Sequence, residues 1–186
     1  MTDSVKIGMG ILALLFGVYL FNQSSQQKLT LEGAPIFSGD PEDVHRFVIS
    51  EAIESIEIIK QDTTWSIVGE DSLLIKDYAI NNFFDRVLKV ETEMLISSKI
   101  EKWAKFGVDD SLGKQLQVYS ENNEELLSYY FGNTGQDYQH NYIRSSHEND
   151  VYRTNDNVYF LLNPKETYWG KQPEKSKPVI PDSIPE

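Results

Sequence analysis

The chain has 186 residues, of which 40% are apolar, 25% charged and 12% aromatic. These proportions exclude global disorder and leave room for one domain of roughly 100 to 150 residues plus appendages. Its 17 Lys and Arg against 29 Asp and Glu give a net charge of −12, which repels phosphate backbones, so no nucleic acid is expected as a partner. The absence of cysteine excludes disulfides, thiolate metal sites, a Cys nucleophile and a lipidated N-terminal Cys.

Residues 5–21 read VKIGMGILALLFGVYLF, with Lys6 as the one charge. A helix of that length spans about 25 Å, the lower limit for crossing a bilayer, with Lys6 snorkelling at one interface and Tyr19 and Phe21 at the other. The polar run that follows, NQSSQQ, offers no A-x-A pattern for a signal peptidase. Residues 1–21 are therefore expected to be an uncleaved, single-pass signal anchor rather than a cleaved leader. The N-terminal amine and Lys6 precede the span and Lys28 is the first cation after it. This polarity predicts an N-terminus inside, in the inner (cytoplasmic) membrane, and an extracytoplasmic main domain. Gly10, Ala13 and Gly17 recur at spacings of three and four, a small-residue stripe that would let another membrane helix dock.

Residues 22–43 are polar, carry Gly33, Pro35, Gly39 and Pro41, and show no periodicity, so they read as a tether. Residues 44–170 read as the folded domain. Short apolar runs at 47–49, 56–60 and 65–68 predict strands. From Asp77, a plausible N-cap residue, Ala79, Ile80, Phe83, Phe84, Val87, Leu88 and Val90 recur at helical spacing. This predicts one main amphipathic helix with Phe83, Phe84, Val87 and Leu88 at the centre of the core. A short helical turn is expected over 100–106, stopped by Gly107.

Beyond it the period becomes two. Leu116 and Val118 alternate with polar residues, the sequence ENNE at 121–124 supplies a turn, and residues 126–131 return as the second strand of a hairpin. A strand at 141–145 follows, and a second hairpin is predicted from strands at 151–154 and 158–162 around Asn155-Asp156-Asn157. The sum is an α+β fold, a largely antiparallel sheet packed on one amphipathic helix. Residues 171–186 hold Pro173, Pro178, Pro181 and Pro185 and are expected to be a disordered or polyproline tail.

Several landmarks carry a resemblance in their order and spacing: Trp65-Ser66-Ile67 before the helix, Phe106-Gly107-Val108-Asp109 after it, Phe131-Gly132-Asn133, Tyr142-Ile143-Arg144 and Val151-Tyr152. Over roughly residues 53–169 the chain resembles the domain-of-unknown-function family numbered 4340, with Val108 where that family usually has Leu. The resemblance implies a bacterial protein anchored by one N-terminal helix. Some members resemble accessory components of ABC-type exporters and gliding-motility systems. It implies no catalytic residue.

The search for chemistry turns up little. His140 and His147, with Asp137 and Glu148 nearby, draw a metal site only on paper, because they flank a predicted strand on opposite sides; solvated loop histidines are the expectation. The acid pairs Asp109-Asp110 and Glu124-Glu125 read as solvated turns, since adjacent strand residues point to opposite faces. Gly132-Asn133-Thr134-Gly135 lacks the Lys and hydroxyl residue of a phosphate loop, and Asn155-Asp156-Asn157 lacks the distal Glu of a calcium loop. No catalytic, cofactor or metal site is expected.

Tyrosine is the one surplus, with eight of ten in the C-terminal half, and Tyr129, Tyr130, Tyr142 and Tyr152 are candidates for a partner or ligand face. The expected function is a non-catalytic, membrane-tethered module whose partners are the lipid bilayer and other envelope or membrane proteins. The alternative is a glycan- or small-solute-binding envelope domain using the tyrosine-rich sheet face, and a hydrolase built on scattered carboxylates ranks last.

Overall fold

A computed structural model describes residues 12, 14–17, 30–135 and 137–173. Among these described residues eleven strands are present: β1 (Thr30–Pro35), β2 (Arg46–Glu51), β3 (Glu54–Gln61), β4 (Thr64–Ile67), β5 (Leu74–Ile75), β6 (Glu91–Ser97), β7 (Lys114–Tyr119), β8 (Glu125–Thr134), β9 (Asn141–Ser145), β10 (Val151–Thr154) and β11 (Gly170–Lys171). Nine of them form one sheet in the order β1-β6-β10-β9-β8-β7-β2-β3-β4, antiparallel at every pairing, and β5 pairs with β11.

The expected strands at 47–49, 56–60, 65–68, 116–118, 126–131, 141–145 and 151–154 all lie in this sheet, because their period-two pattern suits one buried face. β7 shows it plainly: Lys114, Leu116 and Val118 are buried while Gln115, Gln117 and Tyr119 are less so. Two strands of the sheet, β1 and β6, lie in segments where no strand was expected. Thr30–Pro35, within the expected tether, pairs with β6 at the sheet edge, so the folded unit begins upstream of Val44. Just after it, Ile36 and Phe37 pack against the core.

The main helix is shorter than its periodicity suggested. It runs as an α-helix over Asp77–Asn82 and as a π-helix over Phe83–Val87, and Leu88 donates to the Phe83 carbonyl at 3.0 Å. Its N-cap is Lys76, with no side-chain cap, and Asp77 is the acid of the first turn, where it complements the helix dipole. The widened turn rotates successive residues. Phe83, Val87 and Leu88 are buried on the sheet, but Phe84 is pushed to the rim, against Trp65 at 5.7 Å. The centre of the core is Phe47 of β2 stacked on Phe83, centroids 3.9 Å apart, with Trp169 at 5.3 Å from Phe47.

The predicted strand at 158–162 does not form. After β10 the Thr154 hydroxyl donates to the Asp156 carbonyl (2.7 Å), the Asn141 side chain accepts from the Val158 N–H (3.1 Å) and that of Asn157 from the Tyr159 N–H (3.2 Å). These side-chain bonds replace ladder bonds and turn the chain off the sheet. A 3-10 turn at Tyr159–Leu161 and a short helix at Glu166–Trp169 follow. Val158, Leu161, Leu162 and Trp169 then share the core with the Asp77 helix.

Candidate functional site

The other face of the sheet is covered too, over β8, β9 and β10, by residues 100–112. A 3-10 turn (Ile100–Lys102) runs into a helix (Trp103–Phe106), and Gly107 stops it in the left-handed conformation (φ 66°) that favours glycine. The Asp109 carboxylate then accepts from the Leu112 N–H (2.7 Å), the Ser111 hydroxyl (2.9 Å) and the Ser111 N–H (3.0 Å), closing the loop. Desolvation draws the Asp109 carboxyl upward, but the Leu112 and Ser111 bonds and nearby Arg144 outweigh it and hold it below the usual range.

The segment lies so close that Gly132 of β8 is required beneath it. A Cβ there would run into the Phe106 carbonyl oxygen and lie 2.7 Å from Val108 Cγ1. Phe106 packs on Tyr142 with ring centroids 4.8 Å apart. Arg144, its side chain only 3% exposed, ties the two layers together. Its Nε donates to the Val108 carbonyl (3.0 Å), Nη2 to Asp110 (3.1 Å) and Nη1 to the Ser145 carbonyl (3.2 Å). Its guanidinium carbon lies 3.7 Å from the Trp103 ring centroid and 4.4 Å from that of Tyr130. The landmarks Phe106-Gly107-Val108-Asp109, Gly132, Tyr142-x-Arg144 and Val151 thus converge on one clamp, and the chemistry of the clamp is adhesion between layers.

The four candidate tyrosines do not share a face. Tyr130 pairs with Arg144 in register, and Tyr142 lies two residues before Arg144 in β9; both belong to the clamp. Tyr129 and Tyr152 point to the opposite face, where both pack, half-buried, against the core. Alternation along the strands separates them. Burial, reinforced by Asp150 and Glu148, pushes the Tyr152 phenol up to about 12, and burial with Glu148 also raises Tyr129. Tyr130 is raised by burial and by Asp110, against the opposing pull of Arg144.

The histidines part company. The His140 side chain is 17% exposed and its Nδ1 lies 2.6 Å from Asp137, with Glu93 3.7 Å from Nε2, so it is an anchored residue rather than a solvated one. His147, 74% exposed, meets Glu125 at 2.8 Å. Among the described residues no group of three or more His, Asp or Glu converges as a metal-binding set. Neither acid pair acts as a unit: Asp109 caps its loop, Asp110 meets Arg144 and Glu125 meets His147.

One cluster escaped the sequence reading. Lys114, in the inward phase of β7, places Nζ 3.5 Å from Glu51, 3.3 Å from the Tyr159 carbonyl and 4.2 Å from the Tyr159 ring centroid. The Tyr159 hydroxyl donates to Glu51 at 3.2 Å. Burial, with Glu51, pushes this phenol up to about 12, and burial draws the Lys114 amine down against the pull of Glu51. The signal in the sequence was a lysine in step with Leu116 and Val118. The cluster closes one end of the core.

Around that same end lie exposed apolar side chains: Ile53, 100% exposed in the two-residue loop between β2 and β3, with Leu112, two residues before Lys114, and Phe160, next to Tyr159. Following the register across the sheet, Glu51, Lys114, Asn141 and Thr154 mark this end, whereas Thr30, Val151, Ser145 and Tyr119 mark the opposite one. The chain upstream of β1 therefore feeds into the sheet at the end away from Ile53.

Of residues 5–21, Leu12 and 14–17 are described; they are helical and exposed. No helix among the described residues is long and apolar enough to cross a membrane. Gly10 and Ala13 of the expected docking stripe lie outside the described residues, and a Cβ on Gly17 would meet nothing within 4 Å. The expected tail is described only to Pro173; the rest of it lies outside the described residues.

No curated protein and no solved structure matches the chain. The model of the family described as a domain of unknown function, DUF4340, matches residues 65–171, from Trp65 in β4 through β11, and on that match over more than half its length the chain belongs to this family.

Proposed function

We propose that the chain is a non-catalytic interaction module, held at the inner membrane by its N-terminal apolar segment, with its main domain extracytoplasmic and other envelope proteins as its partners. The observation that carries this reading is the placement of Ile53, Leu112 and Phe160, exposed at the sheet end opposite the strand end that the N-terminal segment feeds. A two-residue hairpin loop favours Asn, Asp and Gly, so folding does not call for Ile at its tip. Together with Leu112 and Phe160 at the same end it offers apolar area to a partner. The aromatic and charged residues that would have suggested a ligand site are engaged instead in holding layers together, as Arg144, Tyr130 and Tyr142 are.

The test is copurification of the full chain from mild detergent, comparing wild type with Ile53→Asp and Phe160→Asp. Both variants are expected to keep the wild-type thermal midpoint, since exposed substitutions stay within about 0.5 kcal/mol, and to lose bound envelope proteins. Retention of the same bound proteins by both variants would remove the apolar end as the binding surface.

A further inference from the structure

β4 ends the sheet on one side, and its free edge borders a groove of about 510 Å³ between the sheet and the Asp77–Asn82 helix. Thr64, Trp65, Leu74, Ile75, Asp77 and Ile80 are among its walls, and Leu74 is exposed. The Val68 N–H donates to the Glu57 carbonyl at 3.0 Å, which makes Glu57 and Val68 a hydrogen-bonded pair. Antiparallel pairs alternate, so Ile59–Ser66 and Gln61–Thr64 are also of that kind and the Lys60–Trp65 pair is not. The N–H and C=O of Trp65 consequently face outward along the open edge, beside the Trp65 ring. The groove thus offers an aromatic, aliphatic neighbours and one backbone donor and acceptor, the equipment for an extended peptide.

The described chain leaves the fold next to this groove. Lys171 of β11 pairs with Leu74, a groove wall, and the chain is followed two residues further, to Pro173. The residues beyond it read EKSKPVIPDSIPE, with Val179-Ile180 bracketed by Pro178 and Pro181 and preceded by Lys175 and Lys177. Prolines preset the extended conformation and lower the ordering cost of docking; at roughly 3.1 Å per residue Val179 reaches about 25 Å from Lys171. The groove's Asp77, and Asp62 in the turn next to Thr63, complement the two lysines.

We propose that this groove is the docking site of the chain's own residues 174–186, bound extended, with Val179 and Ile180 against Trp65 and Leu74 and their backbone along the free edge of β4. Docking covers an edge that would otherwise template foreign strands. The site lies at β4, away from Ile53, and stands independently of the envelope-binding reading.

Hydrogen exchange on the full chain and on a chain ended at Pro173 tests it. Removal of the tail is expected to speed exchange of the Trp65 amide and of residues 74–81 at least tenfold, with β8 and β9 unchanged. Val179→Asp combined with Ile180→Asp in the full chain, and separately Leu74→Asp on the exposed groove wall, should each reproduce that effect. A synthetic peptide of residues 171–186 should restore protection to the shortened chain. Equal exchange with and without the tail, with no response to the peptide, would overturn the proposal. Protection that rises with protein concentration would also overturn it, by making a second copy the occupant.

Discussion

The two faces of the sheet are covered by unlike chemistry. On one, Phe47, Phe83, Val87, Leu162 and Trp169 hold the Asp77 helix and the 158–169 segment by burying apolar surface, a non-directional force that tolerates some repacking. On the other, residues 100–112 are held by a buried guanidinium between two aromatic rings, a left-handed glycine cap and a glycine beneath a carbonyl, contacts that demand one geometry. The apolar face supplies stability and the clamp supplies position. Substitutions that separate the two should therefore differ in what they disturb as well as in how much.

The largest effect is expected on the apolar face. Phe83→Ala empties the position stacked on Phe47 and should cost about 3 to 5 kcal/mol by chemical denaturation, whereas Phe84→Ala, at the rim, should cost less than half of that. Equal losses would mean that the π-helix does not rotate Phe84 outward.

Next is the clamp. Arg144→Met keeps apolar bulk but removes three hydrogen bonds and should cost about 2 to 3 kcal/mol, with faster exchange confined to 100–112 and β8–β10. Gly132→Ala should lose a comparable 1 to 3 kcal/mol, roughly, by forcing the Phe106 carbonyl away. If either change loosens the Asp77 helix as much as residues 100–112, the two faces are not separable.

The smallest effect lies at high pH, on the margin of the apolar face. With the Tyr152 phenol near 12 in the fold and about 10 in the unfolded chain, the unfolded state loses its proton first. Stability contributed by Tyr152 is thus full below pH 10 and falls between pH 10 and 12. Tyr152→Phe should flatten the decline of the denaturation midpoint across that window. A midpoint that declines as steeply in Tyr152→Phe as in the wild type would argue against burial beside Asp150 and Glu148 as the cause.

Much of this was legible along the chain. Short apolar runs and alternation located seven strands of the sheet, and Gly107 marked the stop of a short helix, which forms there with a left-handed glycine. Thr30–Pro35 was not legible, because an edge strand paired on one side has no reason to alternate. Nor was the loss of the strand at 158–162: Val158, Leu161 and Leu162 have the composition of a strand, and Asn141 and Thr154, supplied by β9 and β10, help Asn157 divert them into the core.

What the sequence by itself determined is short-range: where strands alternate, where glycine permits a stop, and which landmarks mark the family. Tertiary structure alone decided that Tyr129 and Tyr130 serve different layers, that Arg144 is buried beneath residues 100–112, and that Ile53 lies at the sheet end away from Thr30. Alternation says that neighbouring residues part to opposite faces, but not which segment covers each face. That choice depends on contacts across tens of residues, where side-chain bonds and loop reach compete, and no local period records the outcome.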